Sequence, residues 1–132
     1  MPEQMTYLIS NYNKGKYVKD CLDSLNRQTN PHWLAIICDD KSTDDSVAII
    51  EPRLNDKIKL IQNEMNLGCS RTLKRLIAGA TTDILGVLDA DDMLTHNATE
   101  VILQAYARNP GAGFVYSNFI WFNPERKAKP TM

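Results

Sequence analysis

"DILGVLDADDML", residues 83–94, begins as an apolar strand and breaks into three carboxylates, Asp89, Asp91 and Asp92. Apolar residues at successive positions suit a parallel strand covered on both faces. The acids at its end suit neither face, so they belong at the rim of a sheet. The rest of the chain decides whether that rim is a site.

Outward from this stretch, extended and helical patterns alternate. "TYLIS" (6–10) reads as a first strand; the turn residues "NYNKG" follow, and Tyr17, Val18, Cys21, Leu22 and Leu25 then recur at helical spacing to Gln28. "HWLAIICD" (32–39) is a nearly continuous apolar run of strand length. The polar "DDKSTDD" overlaps its end, and Asp44 and Asp45 suit the first turn of a short helix, "SVAIIEPRL", which Pro52 limits. "KIKLIQ" (57–62) reads as a third strand. Leu73, Leu76, Ile77 and Ala80 mark a helix at i, i+3, i+4, i+7, and residues 83–89 form a fourth strand. Asn97 with Glu100 resembles a capping box for a helix whose apolar face is Ala98, Val101, Ile102 and Ala105. "GFVYSNFIWF" (113–122) reads as a fifth strand and residues 123–132 as a polar tail. Such alternation predicts one α/β domain over residues 1–122, with a mainly parallel sheet and right-handed crossovers.

Composition narrows the function classes. The 132 residues are 43% hydrophobic and 23% charged, ordinary for a globular domain with a real core. A formal net charge of −1 supplies no global field for nucleic acid or an anionic membrane, so electrostatic work must be local. The three cysteines, Cys21, Cys38 and Cys69, show neither paired nor metal-like spacing. Cys21 and Cys38 fall in apolar patterns and read as core thiols of a reducing compartment. The N-terminus lacks a basic, apolar leader, and no run approaches the roughly 18 apolar residues of a membrane span. The expectation is a cytoplasmic chain, or the cytosolic part of a longer one.

In open α/β sheets ligands bind outside the carboxyl ends of the strands. Those ends carry Ser10, Asn11 and Tyr12 after strand one, Asp39 and Asp40 after strand two, and Asp89, Asp91 and Asp92 after strand four. Acids crowded on one edge repel unless something positive sits among them. In extended chain Asp89 and Asp91 point the same way and Ala90 the other, so both carboxylates can face one hard ion, Mg²⁺ or Mn²⁺, with a ligand's phosphates completing its shell. His32 and His96 offer no zinc-like alternative. A plainer reading is an acidic turn capping the helix after Asp92. Tyr12 can equally pack on the neighbouring turn; Asp39 and Asp40 can serve turn and helix start, and Arg71, Lys74 and Arg75 can form a solvated helix face.

Residues 8–50, "LISNYNKGKYVKDCLDSLNRQTNPHWLAIICDDKSTDDSVAII", followed by "NEMNLGCSRTLKRLIAGATTDILGVLDADDML" (63–94), resemble the nucleotide-sugar-binding half of family 2 glycosyltransferases, which have the GT-A fold. The resemblance runs from Thr6 to Asn118 and rests on three ordered motifs. It implies that Ser10 and Tyr12 lie against the nucleotide base, that Asp40 accepts a hydrogen bond from it and that Asp39 supports the loop. Asp89 and Asp91 match the family's D-x-D, with Asp91 on the metal and Asp89 also near the ribose or donor sugar. Arg71, just past the Gly68 turn, is placed to reach a phosphate or the base. The implied donor is a nucleotide-diphosphate sugar, most simply a UDP-sugar, and the partner an acceptor hydroxyl. The metal offsets charge on the departing diphosphate, and transfer inverts the anomeric carbon.

Two departures stand out. Where the family carries a small-residue stretch ending in Arg-Asn, this chain reads Leu73-Lys74, so a nucleotide contact is lost or passes to Arg71. Beyond Asp92 the remaining acids, Glu100 and Glu125, lack the surroundings of the family's acceptor-side base, so no catalytic base is assigned. The expectation is an N-terminal fragment or reduced domain, truncated before the acceptor-binding part. Two rivals remain: a non-catalytic nucleotide-sugar-binding module, and a phosphoacceptor receiver domain, whose acid pair belongs after strand one.

Overall fold

The structure, a computed structural model, describes residues 4–120. Four strands form one parallel sheet: β1 (Met5–Asn11), β2 (Trp33–Asp39), β3 (Ile58–Gln62) and β4 (Ile84–Val87), in the order β3-β2-β1-β4. Between and after them run α1 (Gly15–Asn26), α2 (Ser46–Ile50) with a 3₁₀ turn at Glu51–Arg53, α3 (Cys69–Gly79) and α4 (Ala98–Arg108). Pro52 sits in the 3₁₀ turn, where its fixed φ and missing N–H end α2 as its position predicts.

Strand order dictates the layers. The chain steps one way from β1 to β3, then jumps back over β2 and β1 to place β4 on the far side. With right-handed crossovers, the reversal sends α3 to the face opposite α1. Strand alternation then splits the core in two. Met5, Tyr7 and Ile9 of β1 and Trp33, Ala35 and Ile37 of β2 pack with Val18, Leu22 and Leu25 of α1 and Leu103 of α4. Leu8 and Cys38 turn to the other face, against Leu76 of α3. Cys21 and Cys38 are buried free thiols, as expected, and Cys69 is an exposed one.

Two expectations need correction. Residues 113–120 join no ladder; Phe114, Tyr116, Phe119 and Ile120 are exposed. β-propensity yields a strand only where the backbone meets a sheet edge; among the described residues β4 pairs with β1 alone, and residues 113–120 form no ladder with its open edge. Residues 121 and 122 of that expected strand, and the tail at 123–132, lie outside the described residues. Second, the capping box is not formed: Asn97 makes no side-chain cap, and Glu100 instead accepts from Asn30 Nδ2 (2.5 Å) and Gln104 Nε2 (2.6 Å). The cap comes from across the fold. Gln28, just beyond α1, accepts from the Thr99 N–H (2.9 Å) and lies 2.9 Å from its hydroxyl, while its Nε2 donates to Thr95 O (2.7 Å). Gln28→Ala is therefore expected to cost about 2 kcal/mol, read by thermal unfolding. A loss below about 0.5 kcal/mol, the range of neutral surface changes, would contradict the assignment. α3 starts at Cys69, just past the Gly68 turn, for reasons that lie in the site.

Candidate functional site

The reversal of strand order at β1, with β2 on one side and β4 parallel to it on the other, makes the β1–β4 junction the topological switch point, where a crevice opens at the carboxyl ends. By register Asn11 lies beside Asp39, and Asp39 beside Gln62. On the other side Leu88 N–H still donates to Leu8 O (3.0 Å), which carries the acid turn alongside the end of β1. One rim therefore holds all three motifs.

Asp39 and Asp40 are both buried, and their adjacency acquires a physical reason. Successive strand residues face opposite sides, so each acid organises the loops of one face. Asp39, on the α1 side, accepts from Asn11 Nδ2 (2.8 Å), Ser42 Oγ (2.6 Å) and Ser42 N–H (3.0 Å). Asp40, on the α3 side, accepts from the N–H groups of Leu67 (2.7 Å) and Gly68 (3.0 Å) and from Asn63 Nδ2 (2.9 Å). Burial by itself raises the Asp40 carboxyl; the hydrogen bonds from Leu67, Asn63, Gly68 and Thr72 outweigh it and hold the pKa below the usual carboxylate value. Asp40 thereby sets the turn into α3, where Gly68 takes φ +84°, a conformation that favours glycine. That captured turn, rather than the apolar spacing, starts the helix.

The loop after β1 is equally determined. Asn13, at φ +53°, accepts on Oδ1 from the N–H groups of Thr43 (2.7 Å) and Asp44 (3.2 Å). Asp44 returns the tie by accepting the Gly15 N–H (2.9 Å) at the start of α1. A Cβ on Gly15 would stand 2.5 Å from Asp45 Oδ1 and 2.9 Å from Asp44 Oδ2, so any larger residue there must displace both carboxylates. Burial raises the Asp44 carboxyl, but bonds from Ser46 and Gly15 more than offset it and lower its pKa. Asn11 Oδ1 is buried without a partner among the described residues. Exchanging amide oxygen and nitrogen would aim that oxygen at the Asp39 carboxylate, so charge fixes the orientation.

Asp89, Asp91 and Asp92 are exposed, and one carboxylate oxygen from each falls within 4.8 Å of the others. They meet through a turn rather than along an extended strand: β4 ends at Val87, and Asp92 N–H donates to Asp89 O (3.0 Å). The alternation survives in another form, since Ala90 is buried between exposed Asp89 and Asp91. Asp92, left out of the expected ligand pair, joins them. Because α4 begins at Ala98, the turn does not cap the next helix. Partial burial, then the charges of Asp91 and Asp89, push the Asp92 carboxyl above its usual value. An all-oxygen donor set of this size and charge suits a hard divalent cation. Behind the turn, Cys21 Sγ donates to Asp89 O (3.6 Å); burial, followed by Asp92, Asp91 and Asp89, pushes this thiol up to about 12, so it stays protonated as a strut.

Of the other expected residues, Ser10 is half-buried at the end of β1 and Tyr12 is exposed beside it. Arg71 is exposed on the first turn of α3 and in no ion pair among the described residues. Arg75 is no free solvated group; it folds back onto Asn63 Oδ1 (2.6 Å). Residue reasoning missed Asn63, Ser42 and Asn13, whose roles depend on loops distant in sequence, and Lys14, which pairs with Asp91 at 3.1 Å. A hollow of about 160 Å³ lies elsewhere, among Thr6, Leu34, Lys57, Lys59 and Gly79. Binding sites for such ligands run from about 300 Å³ upward, so the open acidic rim remains the better candidate. Among the described residues no helix is long and apolar enough to cross a membrane.

Comparison with known proteins converges on one family. The model for "Glycosyl transferase family 2" matches residues 6–132. The chain is 30% identical over 117 residues to poly-beta-1,6-N-acetyl-D-glucosamine synthase of Staphylococcus epidermidis, covering 88% of this chain and 28% of that protein. In structure it resembles TarS residues 1–349 of S. aureus in complex with UDP, with TM-score 0.74, 22% identity and coverage of 81% of this chain and 33% of the other. It also resembles the mannosyltransferase PcManGT of Pyrobaculum calidifontis in complex with GDP-Man and Mn²⁺, with TM-score 0.67, 21% identity and coverage of 80% and 34%. The chain thus spans about a third of the length of these relatives. A receiver domain is set aside, because β1 ends in Ser10 and Asn11 rather than in an acid pair.

Proposed function

Because the chain belongs to glycosyl transferase family 2, we propose that it forms the donor half of a glycosyltransferase, binding a nucleotide-diphosphate sugar through a divalent metal for transfer to an acceptor hydroxyl. The observation that carries this reading is the set of three carboxylates brought together at the switch point beside the β1 loop. Asp89 and Asp91 hold Mg²⁺ or Mn²⁺, with Asp92 close enough to share the charge. When bound, the metal offsets negative charge on the leaving diphosphate.

The remaining roles follow from position. Tyr12, on a loop clamped by Asn13 and Asp44, offers an exposed ring for stacking on the base, and Ser10 lies against the same face. Asp39 and Asp40 carry the nucleoside contacts through the loops they hold, Asp40 accepting from the base wherever its remaining lone pair is reached. Asp89 also stands toward the ribose or donor sugar. Arg71, beside the Gly68 turn, meets a phosphate. The donor is read as a UDP-sugar, since TarS is described in complex with UDP and with UDP-GlcNAc. Displacement at the anomeric carbon with inversion is the mechanism of the whole enzyme.

A second reading, donor binding without transfer, is favoured by one detail: both Glu100 oxygens are engaged, by Asn30 and Gln104, so this acid is not poised as a base. Glu125 lies outside the described residues. Calorimetric titration with UDP, GDP and dTDP, with and without Mn²⁺, tests the proposal. UDP is expected to bind most tightly and at least about tenfold better with Mn²⁺, a difference of about 1.4 kcal/mol. Equal binding with and without metal would refute the metal-carried donor site.

A further inference from the structure

The acid turn has a cation of its own. Lys14 Nζ lies 3.1 Å from Asp91 Oδ2, and among the described residues no other lysine or arginine is ion-paired with Asp89, Asp91 or Asp92. Lys14 is held from behind: its carbonyl accepts the N–H groups of Tyr17 and Val18 (both 2.9 Å) at the first turn of α1, and its neighbour Asn13 is bound to Thr43 and Asp44. Its ammonium therefore reaches the acids from a fixed base. Both partners are about 40% exposed, with side-chain values of 44% and 40%, so the pair is open to exchange.

We propose that Lys14 is the counter-ion of the Asp89–Asp92 turn, positioning Asp91 while no divalent cation is bound and competing with that cation for the same carboxylate. The inference rests on the metal reading above. Three carboxylates within 4.8 Å repel one another, and a single ammonium offsets part of that repulsion. A divalent ion taking an oxygen of Asp91 meets a like charge already there. Lys14 thus keeps the turn ready in the empty protein and lowers its affinity for free metal.

Mn²⁺ titration by calorimetry on wild type, Lys14→Met, Lys14→Arg and Asp91→Ala tests this. Methionine keeps the stem length and the helix-starting backbone while removing the charge, and unchanged thermal unfolding confirms the fold. Lys14→Met is expected to bind Mn²⁺ about fivefold more tightly, the order expected for removing one positive charge near a divalent ion in a water-like dielectric. Lys14→Arg, which keeps the charge, is expected to stay within about twofold of wild type. Equal or weaker binding by Lys14→Met, with Asp91→Ala still abolishing binding, overturns the counter-ion role and leaves the metal site standing. Undiminished binding by Asp91→Ala removes both.

Discussion

Replacing Asp91 with alanine is expected to weaken Mn²⁺-dependent UDP binding by about a hundredfold, roughly 2.8 kcal/mol. The variant removes one carboxylate of the three gathered in the turn and one of the pair proposed to hold the metal. It also releases Lys14, whose ammonium then adds uncompensated positive charge beside any bound ion. Stability should barely change, since Asp91 is exposed and surface substitutions of this kind stay within about 0.5 kcal/mol. Calorimetry with and without Mn²⁺ separates the effects: metal-free UDP affinity is expected to hold while the metal-dependent gain disappears. Retention of that gain would remove Asp91 from the metal shell.

Asp40→Ala is the converse case, a large loss of stability from a residue beside the proposed nucleotide. It removes the acceptor of the part-buried Leu67 and Gly68 N–H groups and of one N–H of the buried Asn63 amide, whose Nδ2 keeps its bond to Thr72 Oγ1 (3.0 Å). Each unsatisfied buried donor costs about 1–3 kcal/mol, so a combined loss of about 4 kcal/mol and a fall in Tm of roughly 10–15 °C are expected at pH 7. Asp40→Asn should recover part of the loss, because its Oδ1 can still accept from Leu67 and Asn63 while its N–H₂ group faces the Gly68 N–H. The pH dependence has a definite sign. The folded pKa of Asp40 is depressed, so its contribution is complete above the unfolded value of about 3.9 and is lost as pH falls through the lower folded value. Unfolding curves of wild type should therefore steepen in their acid dependence below about pH 4, and those of Asp40→Ala should lack that component. A Tm within a few degrees of wild type at pH 7 would contradict the keystone role.

Much of this was legible along the chain. The apolar run at 32–39 identified a parallel strand covered on both faces, which has no polar side to show; the run at 83–89 forms a parallel strand too, but a short one at the sheet edge with Val87 exposed. The acids after β2 and β4 were recognisable as rim residues for the same reason. No fifth strand forms among the described residues because propensity alone pairs nothing: the apolar run at 113–120 makes no ladder with the open edge of β4. The Asn97–Glu100 cap failed because Gln28 reached the same N–H groups from another element.

The sequence by itself determined the α/β class, the order of elements and the residue types at the rim, since periodicity and turn chemistry act over a few neighbouring positions. Only the tertiary structure decided how the adjacent acids divide their work. Asp39 and Asp40 face opposite layers because strand side chains alternate, and their donors, Ser42 and Asn63 among them, arrive from loops joined only by folding. It likewise gathered Asp92 with Asp89 and Asp91 in a turn and set Lys14 against it. Charge acts through space over a few ångströms, and those distances exist only once β1 and β4 lie side by side.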